Sequence, residues 1–85
     1  MTIDISKSIG YDCGTIMGDT EIILANSNNF TGLWAIRLHG DSIGNHKITF
    51  PNGKTKDGKS LKVRANEEKI IEVWSFNNEY YLEWD

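Results

Sequence analysis

The sequence predicts an all-β protein, a small antiparallel β-sandwich or barrel of about six to eight strands. Three observations carry that expectation. Gly and Asn punctuate the chain about every eight to twelve residues, the spacing of turns between short strands. Between those points apolar residues alternate with polar ones, and no stretch repeats them at i, i+3, i+4 and i+7 for more than a turn. The chain has 85 residues, 39% hydrophobic and 25% charged, enough for one domain with a core near the lower limit for independent stability. Such a chain folds alone, or it gains stability by burying a second face against copies of itself.

One domain, residues 1–85, is expected: an irregular N-terminal segment over 1–19 and a core β-module over 20–85. Within the first part, "SKSIGYDCGTIMG" supplies one or two irregular strands. "TEIILAN" then alternates, with Ile22 and Leu24 on one face and Glu21, Ile23 and Ala25 on the other. In "GLWAIRLHG", Trp34, Ile36 and Leu38 share a face, while Arg37 and His39 point the opposite way. "HKITF" turns Ile48 and Phe50 inward, and Pro51, which has no N–H to donate, ends that strand. "PNGKTKDGKS" reads as the longest loop, polar and turn-rich, and a place for a partner contact. "SLKVRAN" alternates Leu61 and Val63 with Lys62 and Arg64.

The last segment, "KIIEVWSFNNEYYLEWD", is the most informative. Asn tolerates positive φ, so Asn77 and Asn78 suit a two-residue hairpin turn. That turn sets Phe76 opposite Glu79, Ser75 opposite Tyr80, Trp74 opposite Tyr81, Val73 opposite Leu82, Glu72 opposite Glu83 and Ile71 opposite Trp84. Alternation sorts these pairs onto two surfaces. Ile71, Val73, Ser75, Tyr80, Leu82 and Trp84 make a core face. Ile70, Glu72, Trp74, Phe76, Glu79, Tyr81 and Glu83 make the other.

A solvated face should be polar, yet Ile70, Trp74, Phe76 and Tyr81 form an apolar patch beside a repulsive Glu72–Glu83 pair. Such a patch marks a contact surface. Three occupants are open: a segment of the same chain such as the N-terminal one, another protein chain, or a sugar or other ligand. Ile70, Glu72, Trp74, Phe76, Tyr81 and Glu83 are therefore the candidate contact residues. Arg37 or a loop lysine is the expected counter-charge for the two glutamates.

Other chemistries find little support. The net charge of −3 argues against a nucleic-acid binder, which needs concentrated Lys and Arg. Between Lys47 and Lys69 the basic residues are interrupted by Asp57, Glu67 and Glu68. No apolar run approaches membrane length and no signal-peptide core is visible, so no membrane insertion is expected. Cys13 is the single cysteine; with Tyr11 and Asp12 beside it, nothing lowers its pKa, and it reads as a small buried side chain. The Asn29 sequon "NFT" reads as incidental in a protein made in a reducing cytoplasm. Glu72 and Glu83 superficially suit a glycosidase pair, which any two facing carboxylates would. His39, Asp41 and His46 cluster around "HGDSIGNHK", which reads more simply as a solvated turn than as a metal site. "GDSIGN" is neither a nucleophile elbow nor a phosphate loop. No catalytic residue, metal ligand or cofactor is predicted.

From Thr20 onward, the order of "TEIILAN", "GLWAIRLHGDSIGNHK", "ITFPNGKTKDGKS" and "KIIEVWSFNNEYYLEW" resembles a β-module of tailed-bacteriophage tail fibres and related virion proteins. "ITFPNG" ahead of "VWSF" and the terminal aromatics are its most specific parts. Asn-Asn stands where that family tends to use Asp-Gly, and the loop after Pro51 is more basic than its pattern. The resemblance implies a virion structural protein without enzymatic activity, of decoration, cement or head-fibre type. It would be synthesised in the host cytoplasm and contact other virion proteins of capsid or tail. It also implies a homo-oligomer, in the form of trimers, that would cover the aromatic face. Two other readings follow from the residues. One is a receptor- or carbohydrate-binding module with Trp74 and Tyr81 stacked on a host surface glycan. The other is a phage-encoded inhibitor of a host protein.

Overall fold

Strict alternation produces the two longest strands, β5 (Gly32–Gly40) and β9 (Glu68–Phe76), of nine residues each. In β9 every second side chain, Ile71, Val73 and Ser75, is fully buried while its neighbours are exposed or half-buried. Trp34, Ile36 and Leu38 do the same in β5, as alternation requires. The computed structural model describes residues 1–6, 9–25, 32–55, 60–76 and 79–84. Its remaining strands are β1 (Thr2–Asp4), β2 (Gly10–Ile16), β3 (Thr20–Glu21), β4 (Ile23–Ala25), β6 (His46–Thr49), β7 (Gly53–Thr55), β8 (Leu61–Val63) and β10 (Glu79–Glu83). No helix among the described residues is long and apolar enough to cross a membrane.

The fold is an all-β sandwich. Three sheets, with orders β2-β5-β9-β10-β7, β3-β6-β8 and β1-β4, enclose one buried cluster. The five-stranded sheet contributes Trp34, Ile36, Leu38, Ile71, Val73, Tyr80 and Leu82, the three-stranded sheet Ile48, Leu61 and Val63, and the two-stranded sheet Ile3 and Leu24. Trp84, just past the end of β10, packs against the cluster.

Two features differ from expectation. Pairing is mixed rather than antiparallel: β5–β9, β9–β10 and β6–β8 run antiparallel, but β1–β4, β2–β5, β3–β6 and β7–β10 run parallel. Among the described residues ten strands replace six to eight, because "TEIILAN" divides at Ile22 and because Gly53–Thr55, read as loop, adds a strand to the edge of β10. The first nineteen residues hold β1 and β2, where one or two irregular strands are expected, and bury Ile3, Ile5 and Ile16. β2 does carry an irregularity, a register shift between Asp12 and Thr15, where Gly14 takes φ 71° and its N–H donates to Asp12 Oδ1 at 2.8 Å.

The β5–β6 connection is tightly built. Asp41 Oδ1 accepts the N–H groups of Ile43 and Gly44 at 3.1 and 2.8 Å and lies 2.9 Å from His46 Nε2. The Asp41 carboxyl is consequently held below its ordinary value of 3.8, first by the Gly44 N–H and then by His46. Gly44 (φ 72°) could not be another residue: a Cβ there would stand 2.0 Å from the Ala65 nitrogen. Ser42, Ile43 and Asn45 are exposed, as a solvated turn requires, while Asp41, Gly44 and His46 are sheltered against the β8–β9 turn, where the Asn66 N–H donates to Asp41 O at 2.9 Å.

At the opposite end, Asn52 follows Pro51 in the β6–β7 turn and reaches β4. Its Oδ1 accepts the Leu24 N–H at 3.2 Å and its Nδ2 donates to Leu24 O at 2.6 Å. The hairpin turn Asn77–Asn78, the Asn29 sequon and Asp57 lie outside the described residues.

Candidate functional site

The hairpin register is the one the sequence predicts, with Glu79, Tyr80, Tyr81, Leu82 and Glu83 opposite Phe76, Ser75, Trp74, Val73 and Glu72. It therefore delivers Ile70, Trp74, Phe76 and Tyr81 to one side, exposed by 50%, 37%, 47% and 40%. On the reverse side Ile71, Val73, Ser75, Tyr80 and Leu82 are all buried. All six predicted contact residues are thus on the outer face of the five-stranded sheet.

The neighbouring strands extend the patch. Leu33 of β5 pairs with Trp74, Trp74 with Tyr81, and Tyr81 with Lys54 of β7, so four side chains run in one row across four strands. Leu33 is 48% exposed and joins the apolar surface. Its outward direction was legible from Trp34 pointing inward, but its place beside Trp74 depends on the β5–β9 pairing. Lys54 was hidden because its segment read as loop.

Tyr81 is held from three sides. Its hydroxyl donates to Glu79 Oε2 at 2.8 Å, its ring meets Phe76 edge-on at 6.1 Å between centroids, and the Lys54 ammonium lies 5.6 Å from its ring centre. Lys54 Nζ also donates to Glu79 Oε1 at 3.3 Å. The Tyr81 hydroxyl and then Lys54 keep the Glu79 carboxyl below its ordinary value, while the Glu79 carboxylate pushes the Tyr81 hydroxyl up. A cleft of about 420 Å³ opens beside these groups, lined by Lys54, Thr55, Trp74, Tyr81, Leu82 and Glu83.

One row away, Glu72 and Glu83 stand directly opposite each other. Ile70 and Trp84 wall the hollow of about 210 Å³ that both glutamates line. Of the expected counter-charges, Arg37 is engaged elsewhere, and the loop lysines Lys56 and Lys59 lie outside the described residues. Arg37 Nε instead reaches Glu68 Oε1 at 3.1 Å, and its Nη1 lies 4.0 Å from Asp12 Oδ2, because Arg37 pairs across the sheet with Ile70 rather than with either glutamate. Lys54 is occupied by Glu79. Among the described residues neither Glu72 nor Glu83 takes part in an ion pair. Nor does the described N-terminal segment cover the patch, since β1 runs along β4 and β2 along β5, at the edge away from the hairpin.

His39 lies on the outer face opposite Glu68, apart from the Asp41–His46 contact, so the three residues do not converge. Among the described residues no three His, Cys, Asp or Glu side chains form a group suited to a metal ion. The half-buried Cys13 thiol is pushed up to about 11, by burial first and by Asp12 second, which keeps it protonated near neutral pH.

No protein-family model matches the chain, no curated protein matches it in sequence, and no solved structure matches it in fold.

Proposed function

We propose that this protein is a non-enzymatic structural subunit of a phage particle, such as a capsid decoration, cement or fibre protein. It assembles with other virion proteins, or with copies of itself, through the outer face of the five-stranded sheet. The phage setting rests on the resemblance of "ITFPNG", "VWSF" and the terminal aromatics. The assembly role rests on one observation: Leu33, Trp74 and Tyr81 form a continuous apolar row on that face, flanked by Ile70 and Phe76, each more than a third exposed. Burying roughly 300 Å² of it would contribute about 7 kcal/mol before the entropic cost of association. The sheet edges offer less, since β7 has three residues and β2 is interrupted by its Gly14 irregularity.

Trp74→Ser tests the proposal. The expected outcome is a smaller species in sedimentation or light scattering, or loss of attachment to particles. The same assembly with unchanged stability would overturn it.

The cleft beside Trp74 and Tyr81 favours one second reading, a glycan-binding module. There an indole and a phenol would stack on a sugar ring while Glu83 accepts hydroxyl hydrogen bonds. A glycan array separates the two, because a purely structural subunit gives no selective hit.

A further inference from the structure

Glu72 and Glu83 are not the only like charges facing each other across two strands. In the three-stranded sheet Lys47 of β6 stands directly opposite Lys62 of β8. Both lysines are exposed, and among the described residues neither takes part in an ion pair. Asp19, whose carboxylate accepts the Lys47 backbone N–H at 2.9 Å, borders the pair without bonding either ammonium. Each arrangement is unfavourable by itself, because like charges directly opposite repel.

The two pairs answer each other. Both belong to antiparallel ladders, where facing side chains start about 4.5–5.5 Å apart, so two ammonium groups can meet two carboxylates one to one. They also look in opposite directions. Ile71, Val73 and Leu82 beneath the glutamates, and Ile48, Leu61 and Val63 beneath the lysines, point into the same buried cluster. The alternating residues on each sheet therefore point away from it on opposite sides.

We infer that the occupant of the Glu72–Glu83 hollow is a second copy of this chain, presenting Lys47 and Lys62, so that copies join head to tail. This rests on the reading of the outer face as an assembly surface, and it names the partner. The lysine stems lie along Ile70 and Trp84, the walls of the hollow, while their ammonium groups neutralise the carboxylates. Because donor and acceptor surfaces differ, the contact is heterologous. It generates a closed ring or an open stack, not a two-fold dimer.

Two charge-reversed variants test this by sedimentation across protein concentration and salt. The wild type should self-associate, more weakly as salt rises. E72K/E83K alone and K47E/K62E alone should each associate at least about tenfold more weakly. Mixed in equal amounts they should recover association, since each then supplies the charge that the other lacks. E72Q/E83Q mixed with K47Q/K62Q should recover only a one-to-one pair, because the native carboxylates of one variant meet the native lysines of the other while the second contact stays neutral and nothing larger grows. The inference is overturned if either reversed variant self-associates like the wild type, if the reversed pair stays apart on mixing, or if the wild type remains monomeric up to millimolar concentration. Trp74→Ser separates the two levels. If it dissociates an assembly that both charge reversals leave intact, the outer face is a contact with another occupant. If it too leaves the assembly intact, the reading of the face itself fails.

Discussion

The hairpin β9–β10 has two faces of similar apolar content and opposite fate. On one, Ile71, Val73, Tyr80 and Leu82 are closed over by the three-stranded and two-stranded sheets. On the other, Ile70, Trp74, Phe76 and Tyr81 meet no covering layer among the described residues. Sequence chemistry alone does not separate them, since each carries four aliphatic or aromatic residues. What separates them is that, among the described residues, the chain supplies short strands for one side only. An apolar face that none of the described residues covers is the physical reason to look for a second molecule.

The adjacent isoleucines give the most direct way to break this comparison. Ile71→Ala should destabilise dilute protein by about 2–5 kcal/mol, while Ile70→Ala should change it by less than about 0.5 kcal/mol. Urea unfolding measures both, and similar losses would mean that the outer face is covered after all.

Acid sharpens the comparison from the other side. The inner face is closed by strands that enter through the Asp41 turn. The folded-state pKa of Asp41 is depressed, so its contribution is present above its unfolded value and is lost as pH falls through the folded one. Below about pH 4 the wild type should lose stability more steeply than Asp41→Asn, followed by the fluorescence of the buried Trp34. Equal slopes would remove Asp41 as the cause.

The smallest effect concerns the outer charges. Glu83→Lys converts a repulsive cross-strand pair into an attractive one and should stabilise the dilute monomer by roughly 0.2–1 kcal/mol. A destabilised variant would show that Glu83 has a partner that the ion pairs do not reveal.

Much of the fold was legible because alternation assigns a face to every residue of a strand. It put Trp34, Ile36 and Leu38 inward, and it sorted the hairpin correctly once Phe76 and Glu79 were set opposite each other. Alternation does not choose a neighbour. The parallel partnerships of β1 with β4 and β2 with β5 join distant segments by backbone bonds that leave no periodic mark. Gly53–Thr55 was missed for a related reason: it has no apolar alternation, and it is a strand because the edge of β10 requires a partner. The same blindness hid Lys54 from the candidate site and sent Arg37 to the wrong carboxylate.

The Asn52 carboxamide gives one of those open borders a different end. By offering an acceptor to the Leu24 N–H and a donor to its carbonyl, a single side chain imitates the peptide group of a missing strand. It occupies the rung where a foreign strand would begin to add. Lateral growth is refused at that border by chemistry, which leaves the molecule's broad surfaces the freer route to anything larger.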